Sequence, residues 1–220
     1  MMGTTNMKLY TFPEAPSPRR VHLFLAEKGL ELEQVFVDMR KGEHLSAAFA
    51  AVHPDRTLPV LQLDDGTCLS SCAAICRYLE VVQPEPPLLG ATPEQMARID
   101  DRDRWVEMNG MLAVMEGFRN SLKGFRDRGL PGKRPVAQIA ELAQRGRQRF
   151  EWFMHDLDGM LAEHDYIAGE EFSVADITAL VTIDFGLRGL KTQMPESTRL
   201  LAAWHERVSS RPTLKGQENT

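Results

Sequence analysis

Leu58-Pro59-Val60-Leu61-Gln62-Leu63-Asp64-Asp65-Gly66-Thr67-Cys68-Leu69-Ser70-Ser71-Cys72-Ala73-Ala74-Ile75-Cys76-Arg77-Tyr78-Leu79-Glu80 reads, in that order, as proline, strand, tight turn, strand and helix. Val60, Leu61 and Leu63 supply β-prone apolar positions, and Asp65-Gly66 is a hairpin turn signal. Ala74, Ile75, Tyr78 and Leu79 then recur at helical spacing. A proline thus enters a strand whose hairpin partner feeds a helix.

Upstream of this run the pattern alternates. Met7 to Phe12 reads as a strand, Arg19 to Gly29 as a helix, Glu33 to Val37 as a strand, and Leu45 to Ala51 as a helix, which with the hairpin and the helix Ala73 to Val81 gives βαβαββα. Downstream, four prolines in the eleven residues Gln83 to Pro93 forbid regular structure. Beyond them lie helical runs at Glu94 to Phe118, Val136 to Glu163, Val174 to Leu187 and Thr198 to Ser209, with no strand alternation of comparable length. Gly117, Gly124, Gly129 and Gly132 mark an interruption between the first two. The expected organisation is α/β + all-α: a βαβαββα domain over residues 1–82 that resembles the thioredoxin-like fold in its proline-strand-turn-strand-helix run, a linker over 83–93 and an all-helical domain over 94–220.

Composition narrows the function classes. The 26 basic and 31 acidic residues give a formal charge of -5, which is no electrostatic footprint for nucleic acid or an anionic membrane surface. No stretch approaches the roughly 20 apolar residues that span a bilayer, and the N-terminal residues lack an apolar core behind a basic start, so a cytoplasmic protein is expected. Cys68, Cys72 and Cys76 are odd in number and form no disulfide framework, which agrees with a reducing compartment. Their spacing fits no zinc site and includes no Cys-x-x-Cys, so no metal is expected.

The turn Ala15-Pro16-Ser17-Pro18-Arg19-Arg20 joins the first strand to the first helix. A helix N-terminus favours an anion through its unpaired N–H groups, and a hydroxyl there adds a hydrogen bond to a thiolate. Ser17 is the only hydroxyl in this turn. It is equally placed to serve only as the N-cap, with Pro18 as the first helical residue. Tyr10, one residue from the strand's end, is read as core by the strand alternation.

With Arg19-Arg20-Val21-His22-Leu23-Phe24-Leu25-Ala26-Glu27-Lys28-Gly29 upstream, the Leu58 to Glu80 run resembles the cytosolic glutathione S-transferase family. The likeness is to divergent bacterial members of serine/asparagine rather than tyrosine type, and extends from Lys8 to Pro212. It implies an enzyme that binds glutathione as co-substrate and stabilises its thiolate for attack on a small hydrophobic electrophile or a disulfide. It also implies a detoxification role and a homodimer, with no metal. A non-catalytic ligand- or protein-binding module on the same fold is the alternative.

The resemblance also implies site residues. Ser17 stands where bacterial relatives carry asparagine, whereas Ala15 occupies the position of the activating serine of serine-type classes, and Thr11 that of the tyrosine in tyrosine-type classes. Leu58 would offer its main chain to the cysteinyl part of glutathione before a cis Pro59, as if the ligand were one more strand; a trans proline opening an edge strand is the competing reading. Arg56 replaces a glycine usual between these prolines. Ser71 and Cys72 stand where a glutamate-serine pair holds the γ-glutamyl end. The helix N-terminus is kept there, but the charge facing the ligand ammonium is lost. One of Asp100, Asp101 and Asp103 would reach the partner subunit's site, or all three form a solvated acidic face.

Further features are read from residue type and spacing. Cys72 at a helix N-terminus is suited to a lowered thiol pKa and a mixed disulfide, or is a small buried residue, as Cys76 is read to be. Trp105, Met108, Met111 and Met115 line a pocket for the hydrophobic electrophile, or else form core or a dimer seam. Phe172-Ser173-Val174-Ala175-Asp176-Ile177 is a capping box, with Ser173 as cap, Asp176 reaching back and Phe172 placed to staple against Ile177. Trp204 with Arg207-Val208 and Arg211-Pro212 resembles the family's closing helix.

Overall fold

The computed structural model describes residues 6–214. Two compact units divide the chain, one built on the residues up to Pro86 with Pro131–Arg134, the other on Pro87–Leu130 with Pro135 onward.

In the first unit a mixed sheet has the order β2-β1-β3-β4, with β1 Lys8–Thr11, β2 Glu33–Phe36, β3 Val60–Gln62 and β4 Cys68–Leu69. Strand β1 runs parallel to β2 and antiparallel to β3, with Tyr10 opposite Val60, and β3 pairs with β4 through Leu61 and Leu69. The parallel pair needs a crossover, which helix α1 (Pro16–Lys28) supplies. Helix α2 (Ala47–Val52) follows a short 3-10 turn, and α3 (Cys72–Val82) closes the unit by packing on α1. Side-chain alternation sorts the sheet's faces. Thr11 points to α1, where its hydroxyl meets His22 Nε2 at 2.7 Å, while Tyr10 points to α2 and lies edge-on to Phe49 at 6.1 Å. The Lys28 ammonium, on a fully buried side chain, pairs with Glu80 at 2.5 Å and donates to the Pro84 and Pro86 carbonyls. One charge thereby ties α1, α3 and the proline segment together.

The second unit is helical: α4 Pro93–Val106, α5 Leu112–Ser121, α6 Ala140–Met160, α7 Val174–Leu190 and α8 Arg199–Ser209. Thr92 and Gln95 form a capping box at the start of α4. Helix α7 is buried on all sides from Val174 to Ile183, as expected of a central helix that is apolar all round. Its first turn is the capping box read from the sequence: Ser173 Oγ accepts from the Ala175 N–H, and the Asp176 carboxylate accepts from the Ser173 N–H at 3.0 Å. Asp176 also accepts from Ile167 N–H and from Trp204 Nε1, so the cap joins α7 to α8. Phe172 lies edge-on to Tyr166 at 6.0 Å, with Arg211 3.9 Å above its ring.

Two features depart from the sequence reading. Gly117 lies inside α5 rather than in a loop, facing Gly146 of α6. A Cβ on Gly146 would come within 2.4 Å of the Gly117 nitrogen and 2.5 Å of the Ala113 carbonyl oxygen, so the two glycines let the helices cross closely. The long first helix is also interrupted by a π-type turn over Glu107–Met111. The turn frees the Met108 carbonyl from the α-helical pattern, and Arg149 caps it at 2.7 Å.

Candidate functional site

Three segments of the first unit converge. Ala15 packs against the core cluster of Phe12, Val37, Phe49, Leu58 and Val60, bringing the start of α1 to the Leu58-Pro59 turn. The Cys72 thiol, at the first residue of α3, donates to the Ser17 carbonyl at 3.2 Å, joining the starts of α1 and α3. The sequence separation of these segments is bridged by the crossover and by the hairpin that precedes α3.

At the start of α1 the cap is Ala15 and not Ser17, with Pro16 as the first helical residue; Ser17 and Pro18 lie inside the first turn. This corrects the reading of Ser17 as N-cap. Prolines are accommodated there because first-turn N–H groups have no intrahelical acceptor. The arrangement thins the terminus of donors. The Ala15 N–H bonds to Phe12 O, the Arg19 N–H bonds to Ala15 O, and both Pro16 and Pro18 lack an N–H. The Ser17 N–H is left, beside its own half-buried hydroxyl, as the donor set at this point. The neighbouring hydroxyls are turned elsewhere: Thr11 is 1% exposed and bonded to His22, whose pKa is lowered by burial, and Tyr10 donates to Gln62 at 3.3 Å.

The Leu58-Pro59 peptide bond is cis. Leu58 is 8% exposed, and its N–H and C=O take no main-chain partner among the described residues. The approach to this turn is held by His53 Nε2 on the Thr57 hydroxyl at 3.0 Å and by Asp55 paired with Lys133 at 2.8 Å. Arg56 has φ 58, in the left-handed region where glycine is favoured, which accounts for the glycine usual at this place in the resembled family.

At the start of α3, Ser71 is the N-cap residue with extended backbone, yet its side chain makes no capping bond and is exposed. Cys72 is 8% and Cys76 2% exposed, both on α3, whereas Cys68 is half-buried on β4; all three are free thiols.

In the second unit the residues read as an electrophile pocket do not share one open face. Trp105 stacks on Phe153 at 5.5 Å, Met111 is 7% exposed, Met115 is half-buried, and Met108 is 50% exposed. The π-type turn adds a residue per turn at this point and so rotates Met111 inward and Met108 outward. Of the three aspartates, Asp103 is buried and accepts from the Thr178 hydroxyl at 2.5 Å, which removes it from any role at a partner's site, while Asp100 and Asp101 are exposed. Sequence reading missed the π-type turn, and also a pair of arginines, Arg119 and Arg128, held over Phe125; clustering of basic residues between α5 and α6 was the available signal.

Comparison with known proteins gives the following. The glutathione S-transferase N-terminal domain matches residues 16–82 and the C-terminal domain matches residues 136–212. Glutathione S-transferase 2 of Saccharomyces cerevisiae is 34% identical over 211 residues, covering 95% of this chain and 88% of that protein. A glutathione S-transferase domain-containing protein of Marinobacter aquaeolei superposes with a TM-score of 0.86 at 36% identity, covering 94% of this chain and 99% of that one. The crystal structure of Gtt2 from Saccharomyces cerevisiae does so with a TM-score of 0.86 at 32% identity, covering 96% and 99%.

Proposed function

Since the chain belongs to the glutathione S-transferase family and is a glutathione-conjugating enzyme, we propose that its first unit holds glutathione across the three converging segments described above. The observation that carries this assignment is the Cys72–Ser17 bond, which brings two helix N-termini to one place beside the Leu58-Pro59 turn. Glutathione is a tripeptide with a thiol at its middle. Leu58 pairs main chain to main chain with the cysteinyl residue, which gives affinity without demanding a side chain. The γ-glutamyl carboxylate is received by the N–H groups opening α3 at Ser71 and Cys72.

The thiol then lies toward the start of α1. There the Ser17 hydroxyl and N–H donate to sulfur, bonds that favour the thiolate over the thiol. A free thiol with pKa about 8.5 is mostly protonated at neutral pH, so this stabilisation raises the fraction of nucleophile. Catalysis consists of that thiolate and of its proximity to a bound electrophile. The reaction proceeds in a cytoplasmic homodimer. Met108 and Leu112, four residues apart and 50% and 44% exposed, are the apolar face given to the second copy. The non-catalytic alternative has no observation of its own.

The test is a calorimetric titration of the protein with glutathione, followed by conjugation assays against small hydrophobic electrophiles. Saturable binding at millimolar affinity or tighter, with turnover reduced in Ser17→Ala, is expected. No binding at physiological glutathione sinks the assignment.

A further inference from the structure

From the last turn of α5 toward α6, the stretch Arg119 to Arg134 carries six basic residues and a single acid, Asp127, in a chain whose formal charge is -5. Charge runs usually face water, but two members of this one do not. Arg119 and Arg128 are half-buried, and their guanidinium carbons lie 4.9 and 5.5 Å from the centroid of the Phe125 ring.

The frame around them is fixed. Phe125 packs edge-on to Phe118 at 5.1 Å, and Phe118 meets Phe185 at 4.8 Å. Arg119 Nη1 donates to Arg128 O at 3.1 Å and Arg128 Nη2 to Gly124 O at 3.0 Å. Gln138 Nε2 donates to the Arg119 and Leu122 carbonyls, the Ile139 N–H donates to Asn120 Oδ1, and Arg128 is bridged to Val136. Asp127, with φ 57, holds a left-handed conformation immediately before Arg128. Strain of this kind persists only where the surroundings over-determine it.

What the frame lacks is a counter-charge. Arg104, Arg145 and Arg149 in the same unit pair with carboxylates, but among the described residues neither Arg119 nor Arg128 does. Arg119 Nε is buried with no acceptor, and burial first, then the charge of Arg128, pushes the Arg119 pKa down to about 10. Two adjacent, partly desolvated cations without an anion oppose folding, and closing the loop needs only one of the five N–H donors of each. Neutral amides would close it without that cost. A preorganised fork of donors beside a phenyl ring complements a flat apolar body bearing a carboxylate.

We propose that Arg119 and Arg128, over Phe125, form a binding site for the carboxylate of a small aromatic acid. This site does not depend on the transferase reading.

The test is a calorimetric titration with benzoate and with benzamide, its neutral counterpart, in the wild type, Arg128→Gln and Arg126→Gln. Arg126 is an exposed neighbour and reports surface charge alone, and a glutamine at 128 keeps a donor for Gly124 O. Saturable benzoate binding, no comparable benzamide binding, and a loss of about 10-fold or more in Arg128→Gln but not Arg126→Gln are expected, the scale of a lost charge-assisted hydrogen bond. Absence of saturable benzoate binding to the wild type, or equal losses in the two variants, overturns the site. A separate glutathione titration of the wild type reads the transferase assignment, so its failure is distinguished from failure of the arginine site.

Discussion

The Cys72 thiol donates to the Ser17 carbonyl, placing a cysteine at the junction of the two helix starts, one proposed to take the ligand's γ-glutamyl end and the other its thiol. The thiol group is therefore a structural donor, and a hydroxyl is able to take over the same bond. Cys72→Ser should keep conjugation within about threefold of wild type, since one neutral hydrogen bond replaces another. Ser17→Ala should instead lower kcat/KM by roughly 10- to 100-fold at neutral pH, because it removes the bond proposed to the charged sulfur. The pH profile separates the two roles. Loss of a thiolate donor raises the thiol pKa, so the alkaline rise of kcat/KM in Ser17→Ala should move to higher pH. A profile that stays in place, or a Cys72→Ser variant that is dead, would transfer the chemistry from the serine to the cysteine.

Ser71 makes no capping bond and is exposed, so replacing it disturbs little. Ser71→Glu restores a negative charge facing the γ-glutamyl ammonium of the proposed ligand. A charge-assisted hydrogen bond contributes about 1.5–3 kcal/mol, so glutathione should bind roughly 10-fold tighter or better by calorimetry. Unchanged or weaker binding would place the γ-glutamyl end elsewhere.

The left-handed backbone of Arg56 is a cost that glycine would not carry. Offsetting this, glycine enlarges the unfolded ensemble, so the gain from Arg56→Gly should be modest, on the order of 1 kcal/mol or less of added stability in urea unfolding. A destabilised variant would show that the arginine side chain contributes more than its backbone costs.

These residues also show what a sequence carries and what it does not. The strand-turn-strand-helix run from Val60 and the proline punctuation near Pro84 are local signals, and the fold read from them matches the sheet and helices observed. The capping box at Ser173 and Asp176 was legible for the same reason, since a cap is set within four residues. The helix start at Pro16 was misjudged because serine is the better cap residue, while two prolines in one first turn leave Ala15 as the boundary. Met111 and Met108 separated because a π-type turn shifts register without any residue type that announces it. The Arg119 and Arg128 pair was missed because sequence does not show that, among the described residues, neither meets a carboxylate, which is a property of three-dimensional packing.

Asp176 shows a further consequence of burial. Its carboxyl is fully buried and accepts from Ile167 N–H, Ser173 N–H, the Ser173 hydroxyl and Trp204 Nε1. Burial, the largest influence, pushes its pKa up to about 6 from 3.8, against the four donors that favour the carboxylate. A pKa higher in the folded state means that the native protein holds the proton more tightly than the unfolded chain. The corresponding stability is fully present below about pH 4 and is lost as pH rises through about 6, a change on the order of 3 kcal/mol. Asp176→Asn has no such titration. At pH 7 it should be destabilised by about 1–3 kcal/mol, because an amide nitrogen cannot accept from the N–H groups the carboxylate receives. Toward pH 4 the gap between wild type and variant should widen by up to about 3 kcal/mol, read from urea midpoints at a series of pH values. A gap that stays constant between pH 4 and 7 would mean that the four donors outweigh burial and that Asp176 is ionised throughout.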